Sequence, residues 1–417
     1  MSFNPESATL EQWLTRLESL HPTEIDMGLA RVKTVAERLN CLKPAPITIV
    51  VGGTNGKGTT SAFLVAMLRA QGLKVGAYNS PHIHRYNERI SINGVEASDE
   101  SICASFRKIE AQRQDTSLTY FEFGTLAALC HFQAEQVDAC VLEIGLGGRL
   151  DAVNMVDSDI AVVTSIGLDH QAYLGNTLAD IAYEKCSIAR ANKWLVCGQS
   201  NPPTRAAETV ANLGGKLCQR DQYFSIEATE SGFKLDFMQL DSKLTWQLPS
   251  AHIPHHNIAS AIQALALIDK LPSYEQVCEV LKALRVAGRL QSFKRGDLTL
   301  TLDVAHNEQA AAYIGQKLQQ VDGIILGMLS DKEPKKVVKV LPKTEQWVMI
   351  TLGCYRGMTA EQLTKATELE SNVSLANSIQ KAFTKLPKNG HWLVCGSFYT
   401  VDAALELIKE ENSWLPI

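Results

Sequence analysis

The sequence predicts an α/β protein of two domains, in which an N-terminal, mainly parallel sheet with a small antiparallel addition precedes a smaller, Rossmann-like α/β domain. Three observations predict it. Apolar runs alternate with helical patterns, the grammar of a parallel sheet covered on both faces. A glycine-rich stretch, Gly52-Gly53-Thr54-Asn55-Gly56-Lys57-Gly58-Thr59-Thr60, stands between an apolar run and a helical pattern. Finally, 417 residues exceed one ordinary core, and the alternation restarts at Leu298 after the break Val286-Ala287-Gly288-Arg289-Leu290-Gln291. The expected boundaries are therefore 1–286, a linker over 287–296, and 297–417.

Taken in order, Trp13, Leu14 and Leu17 share one helical face, and Leu20 to Leu29 reads as a loop entering a second helix. Ile47 to Val51 is a strand. After the glycine-rich turn, Ala62 to Gln71 continues as a helix stopped by Gly72, and Lys74 to Tyr78 is a second strand ending at Asn79-Ser80-Pro81-His82. The pattern repeats with a helix over Gly124 to Gln133, a strand over Ala139 to Ile144 and a glycine loop from Gly145 to Arg149. A further strand, Ile160 to Ser165, leads to Gly167-Leu168-Asp169-His170 and a helix carrying Lys185. Phe224 to Leu248 alternates as the antiparallel addition should, and helices follow over Asn257 to Lys270 and Tyr274 to Leu284. Strands over Leu298 to Leu302, Gly323 to Met328, Gln346 to Ile350 and His391 to Cys395 build the second domain.

A net charge of −5 without basic runs argues against nucleic acid or an anionic membrane as a partner and points to small molecules. The N-terminus has neither a cationic start nor an apolar core, and no apolar run is long enough to cross a bilayer, so a cytoplasmic protein is expected. The ten cysteines form no CxxC pair, and several sit in apolar runs as small hydrophobes.

In open parallel sheets ligands gather beyond the carboxyl ends of the strands. The glycine-rich loop, Ser80, Glu143 and His170 all follow such ends, so one crevice should hold them. The loop reads as a nucleotide triphosphate cradle of the P-loop ATPase type: glycines allow close approach to an anion, helix N-terminal amides face phosphate, Lys57 adds charge and Thr59 or Thr60 offers a hydroxyl to Mg²⁺. The strict motif fails at Val51 and Gly58, and a plain turn closing a βα unit is the alternative. Glu143 is either a metal ligand or a cap of the glycine loop. Asp303 and His306 form either a substrate-facing corner or part of an N-cap with Asn307. Lys185 looks like an ordinary exposed helix lysine.

These motifs together resemble the folylpolyglutamate synthase family of the Mur ligase superfamily, in its bifunctional dihydrofolate synthase/folylpolyglutamate synthase branch, over nearly the whole chain. The resemblance rests on Gly53 to Thr59, Ser80-Pro81-His82, Leu118 to Glu122, Glu143 to Ala152, Asp169-His170, Gly288-Arg289, Asp303 to Asn307 and Gly396-Ser397-Phe398. It implies an ATP-dependent ligase that adds L-glutamate to 7,8-dihydropteroate and to reduced folates through an acyl phosphate, working as a monomer. By the same resemblance Thr54, Asn55, Gly56 and Lys57 hold ATP phosphates, and Asn257, Arg289 and Asp303 reach ATP. Ser80, Glu143, His170 and a carbamylated Lys185 ligate Mg²⁺, with two metal sites and room for a monovalent cation such as K⁺. Lys57, Lys185 and His170 are the implied catalytic residues, and nucleotide is expected between the domains. Ser19, Leu20, His21, Pro22, Thr119, Tyr120, Phe121, Glu122, Leu150, Asp151 and Ala152 match the dihydropteroate lining. The family shows Glu-Lys-Ala-Gly where this chain has Glu184-Lys185-Cys186-Ser187. A nucleotide-driven switch, a ligase for another acid, and a synthase limited to folylpolyglutamates are the competing readings.

Overall fold

The computed structural model describes residues 3–23, 25–239, 242–369 and 371–417. The chain divides into two compact units, Met1–Leu284 and Arg285–Ile417. In the first, eight strands form one sheet: β1 (Ile47–Gly52), β2 (Val75–Tyr78), β3 (Ile90–Ile92), β4 (Val95–Glu96), β5 (Ala139–Glu143), β6 (Ile160–Val163), β7 (Trp194–Cys197) and β8 (Lys216–Gln219). Their spatial order is β4-β3-β2-β5-β1-β6-β7-β8. The run from β2 to β8 is parallel, and β3 and β4 add an antiparallel edge.

β1 lies between β5 and β6, with Val51 opposite Glu143 and Gly52 opposite Val163. All but the first residue of β1 are buried, as befits a strand covered on both faces. Parallel pairing brings the C-terminal ends of β2, β5, β1 and β6 together, and each opens into a segment expected to carry chemistry. A separate antiparallel sheet of β9 (Ser225–Thr229), β10 (Gly232–Gln239) and β11 (Ser242–Pro249) is the small addition. Leu240 and Asp241, within the stretch expected there, lie outside the described residues.

Two helices start earlier than their apolar periodicity suggests. Lys57–Ala70 takes in Gly58, Thr59 and Thr60, poor helix formers held by tertiary contacts, and starts at a left-handed Gly56. Tyr120–Ala134 starts at a capping box in which the Thr119 hydroxyl accepts from the Glu122 amide and the Glu122 carboxylate accepts from the Thr119 amide. Beneath these elements Trp13, Phe106, Phe123 and Phe132 join one core, with ring centroids 5.6 Å apart for Trp13 and Phe106 and 5.3 Å for Phe106 and Phe123.

The second unit has a seven-stranded sheet of β12 (Gln291–Arg295), β13 (Asp297–Asp303), β14 (Gly323–Leu326), β15 (Trp347–Ile350), β16 (Val373–Ala376), β17 (Asn389–Cys395) and β18 (Leu415–Pro416), ordered β16-β15-β14-β17-β13-β12-β18. Trp392 and Val394 join one apolar cluster and Leu393 and Cys395 the other, the period of two expected when both faces are covered. The stretch 287–296, expected as a linker, contains β12, which pairs antiparallel with β13 and buries Phe293. Its other residues are polar, so its run carries no strong strand signal.

In the first sheet, Gly76 of β2 lies under the Phe132 ring, where an added Cβ would stand 2.6 Å from Cδ1. Gly76→Ala is expected to overpack this contact and cost about 1–3 kcal/mol, read by urea denaturation against wild type.

Candidate functional site

The loop after β1 is tied to the end of β6. Thr54 N–H donates to the Ser165 carbonyl at 2.9 Å, Asn55 N–H to Ser165 Oγ at 2.9 Å, and Thr164 Oγ1 to the Asn55 carbonyl at 2.6 Å. The Thr54 hydroxyl donates to the Gly167 carbonyl at 3.0 Å and accepts from the Gly167 amide at 2.9 Å. This approach is possible only because Gly53, at φ +140°, has no side chain: a Cβ there would stand 1.9 Å from Thr164 Oγ1. Lys57 Nζ donates to the carbonyls of Gly53 and Thr54 at 3.0 and 3.3 Å, holding its charge across the loop.

Asn257 is buried in the helix His255–Leu267 of the first unit. Its Nδ2 donates to Thr59 Oγ1 at 2.7 Å, and its Oδ1 is buried without a hydrogen-bond partner among the described residues. A Cβ on Gly56 would come within 2.6 Å of that oxygen, so loop and helix fit through a glycine. Thr59, expected as a metal hydroxyl, is engaged here and bonded to the Gly56 carbonyl, and Thr60 is fully buried.

Glu143, only 4% exposed, ends β5 with its carboxylate turned to the first turn of the helix Lys57–Ala70: a Cβ on Gly58 would lie 3.8 Å from Oε2. A carboxylate there meets the positive end of the helix. Ser80 follows β2 and is half-buried, and His170 follows β6, exposed, in a left-handed conformation.

Lys185 lies in the helix Leu178–Cys186 and is 4% exposed, which no periodicity revealed. Desolvation, with the nearby charge of Lys57, pulls its pKa down to about 7, against weaker support from Asp169 and Asp151. A Cβ on Gly148 would stand 3.2 Å from Lys185 Cα, so the glycine loop after β5 is what admits this helix. Arg149 Nε pairs with Glu184 Oε1 at 2.9 Å and secures the contact.

The expected dihydropteroate segments also meet in this unit. Phe121 covers Gly145, where a Cβ would stand 2.6 Å from the ring, and its centroid lies 5.9 Å from that of Tyr78. Asp151 is buried and accepts from the Leu146 amide at 2.8 Å and the Val153 amide at 2.9 Å, capping a single 3-10 turn, Ala152–Met155. Thr119, Glu122 and Asp151 therefore act as caps that shape the expected lining segments, a role the motif alone did not assign. Ser19 is exposed and its hydroxyl donates to the Arg16 carbonyl. Leu20 and Pro22 flank His21, whose ring lies 3.4 Å from Asp26 Oδ2. Tyr120 begins the helix beside Phe121, and Leu150 precedes Asp151 in the loop.

In the second unit, Asp303 at the end of β13 accepts from the amides of Leu290 and Ala305, both at 2.9 Å. Burial raises its pKa, and Arg289 opposes the shift. The Arg289 guanidinium stands 5.7 Å from the Phe398 ring centroid. Asn307 caps the helix Glu308–Leu318, accepting from the Ala310 amide at 3.0 Å. Sequence reasoning missed Thr164 as a clamp on the phosphate loop and Arg31 as a partner of Glu122; their signal lay in strand pairing and in a contact 91 residues apart.

Residues 51–268 match the Mur ligase middle domain family, and residues 288–398 match the family described as Mur ligase, glutamate ligase domain. The chain is 39% identical over 418 residues to the dihydrofolate synthase/folylpolyglutamate synthase of Escherichia coli (strain K12), with 98% of each covered. It superposes on E. coli FolC in complex with DHPP and ADP with a TM-score of 0.92 at 37% identity, covering 99% of this chain and 100% of that one. The bifunctional folylpolyglutamate synthase/dihydrofolate synthase of Yersinia pestis, complexed with AMPPNP and Mn ion, gives a TM-score of 0.90 at 40% identity over 98% and 100% of the two chains.

Desolvation raises the Asp151 carboxyl to about 6, against the amides that favour its charge. The folded state then holds a proton that the unfolded chain has released, so stability present at low pH is lost as pH rises through 6. Between pH 4 and 7, wild type is expected to lose about 2 kcal/mol relative to Asp151→Asn, read from urea denaturation of both proteins at the two pH values.

Proposed function

The chain belongs to the dihydrofolate synthase/folylpolyglutamate synthase family of Mur ligases, and from that premise we propose how its residues divide the work. It is an ATP-dependent ligase that joins L-glutamate to dihydropteroate and to reduced folates, releasing ADP and phosphate. The observation that carries the assignment of roles is the placement of the clamped loop Gly53 to Lys57 and buried Glu143 at adjacent strand ends, with buried Lys185 on a helix packed against the glycine loop after β5.

The amides of the loop and of the helix after it receive the nucleotide phosphates, and Asn257 fixes that helix from below through Thr59. Lys57 leaves its two carbonyls for the transferred phosphoryl group and offsets the charge that develops there. Phosphorylation of the substrate carboxylate makes an acyl phosphate, which the glutamate amine attacks. Phe121 and the segment around Asp151 hold the pteridine substrate, and Arg289 and Asp303 contribute to nucleotide binding. The reading extends to a monomer working in the cytoplasm, where the free thiols stay reduced.

The donor set suits a hard divalent cation, because a carboxylate oxygen of Glu143, a hydroxyl of Ser80 and an imidazole of His170 all follow neighbouring strand ends. Ser80, Glu143, His170 and Lys185 as its carbamate would hold Mg²⁺, which neutralises phosphate charge when bound. A lysine whose ammonium form is disfavoured by burial is suited to that modification: the neutral amine bonds to CO₂ through nitrogen, releases a proton to water and becomes a carbamate anion.

ADP release should require both L-glutamate and dihydropteroate or tetrahydrofolate, and Lys57→Ala should lower it by at least about a hundredfold with unchanged circular dichroism. Release without either acceptor substrate would instead favour a nucleotide switch. For Lys185, intact mass of native, bicarbonate-supplied protein kept from acid should show one added CO₂. Lys185→Ala should lose activity and regain part of it with short carboxylic acids.

A further inference from the structure

The loop 25–29 enters the helix Ala30–Leu39 without a side-chain N-cap, since Leu29 occupies that position. Its anchor is Arg31. The guanidinium reaches back to Asp26, with Nη1 2.6 Å from Oδ2 and Nη2 donating to the backbone carbonyl at 3.1 Å. The same Nη2 reaches Glu122 Oε1 at 3.2 Å, while Glu122 Oε2 accepts from the Thr119 amide at 2.7 Å. Asp26 in turn lies 3.4 Å from His21 Nε2. One arginine therefore joins the loop to the first turn of the helix Tyr120–Ala134, next to Phe121 over Gly145.

The Glu122 end of this contact is not a loose surface pair, whereas Asp26, 39% exposed, is its solvent-facing end. The Glu122 side chain is 5% exposed, and Arg31 Nε is buried without a hydrogen-bond partner among the described residues. Such burial is costly, and the two carboxylates offset it only while both are in reach. A second contact points the same way: a Cβ on Gly147 would lie 3.6 Å from Met27 Cε, so the loop also packs against the glycine segment after β5.

We propose that Arg31 is a positioning residue that clamps residues 25–29 onto the Thr119–Glu122 turn and thereby sets the affinity for the pteridine substrate, leaving phosphoryl transfer to other groups. The proposal rests on the assignment of Thr119 to Glu122 to the dihydropteroate lining. Arginine is required because its planar fork reaches two carboxylates and a carbonyl at once, whereas a lysine ammonium serves one.

The test is steady-state kinetics of the full chain with dihydropteroate and ATP varied in turn, on Arg31→Met, Arg31→Lys, Asp26→Asn and the Arg31→Met/Asp26→Asn pair. Arg31→Met is expected to raise KM for dihydropteroate about tenfold, the size of one lost charge-assisted contact, while kcat and KM for ATP stay within about twofold. Arg31→Lys should fall between, and the double variant should be no worse than Arg31→Met alone. Should Arg31→Met fail to fold, Asp26→Asn carries the same KM test. Phe121→Ala is the control for the lining: if it raises KM for dihydropteroate and the Arg31 and Asp26 variants do not, the clamp is overturned. If Phe121→Ala leaves that KM unchanged, the lining assignment falls and the proposal with it. Equal rises in both KM values would also overturn the proposal, because they mark a general loss of structure.

Discussion

The clamp between the β1 loop and the end of β6 is the constraint on which the first unit's site depends. Because β6 pairs with β1 in parallel, Thr164 and Ser165 arrive beside Gly53 to Asn55, and their hydroxyls and backbone satisfy groups that a glycine-rich turn would otherwise leave to water. The loop is thus held by its neighbour strand and its amides stay fixed in direction. Without that support a segment containing four glycines would sample many conformations, and ordering it around an anion would cost entropy. Gly53 is the geometric condition for the clamp, since any side chain there would occupy the place of Thr164.

The same parallel pairing concentrates charge. Lys57, Lys185, Asp169, and Glu143 with Asp151 come from four separate segments, and burial weakens the screening between them. Two lysines near one another disfavour each other's charge, and Lys185, the more deeply buried, yields by a lowered pKa. The arrangement is unfavourable for the isolated protein and suits binding of an anionic nucleotide, whose phosphates change the balance of charge at once. Stability set aside in this way is characteristic of a site built for a ligand.

Several polar residues that carry the resemblance act first as caps. Thr119 and Glu122 close a helix start, Asp151 closes a 3-10 turn, and Asn307 closes a helix in the second unit. Capping fixes the direction of the adjacent backbone, so Tyr120 and Phe121 are presented by a rigid turn and not by a free loop. At Asn307 the sequence set a cap against a substrate-facing corner, and the structure shows the cap; at Thr119, Glu122 and Asp151 the cap shapes the segments expected to line the site.

The sequence by itself determined the layered α/β class, the four parallel strands that begin near Ile47, Lys74, Ala139 and Ile160, the antiparallel addition and the loop from Gly53 to Lys57, because periodicity and glycine placement are local properties of the chain. The short edge strands Ile90–Ile92 and Val95–Glu96 gave no such signal. Family resemblance then named Ser80, Glu143, Lys185 and the lining segments as a set. Only the tertiary structure decided that Lys185 is buried, that Asn257 supports the phosphate loop from within the first unit, that β12 belongs to the second sheet and that Arg31 joins Asp26 to Glu122. Each of these depends on groups distant in sequence meeting in space. A lysine's solvation, an amide's partner or an edge strand's neighbour is set by the packed surroundings, and local pattern holds no trace of them.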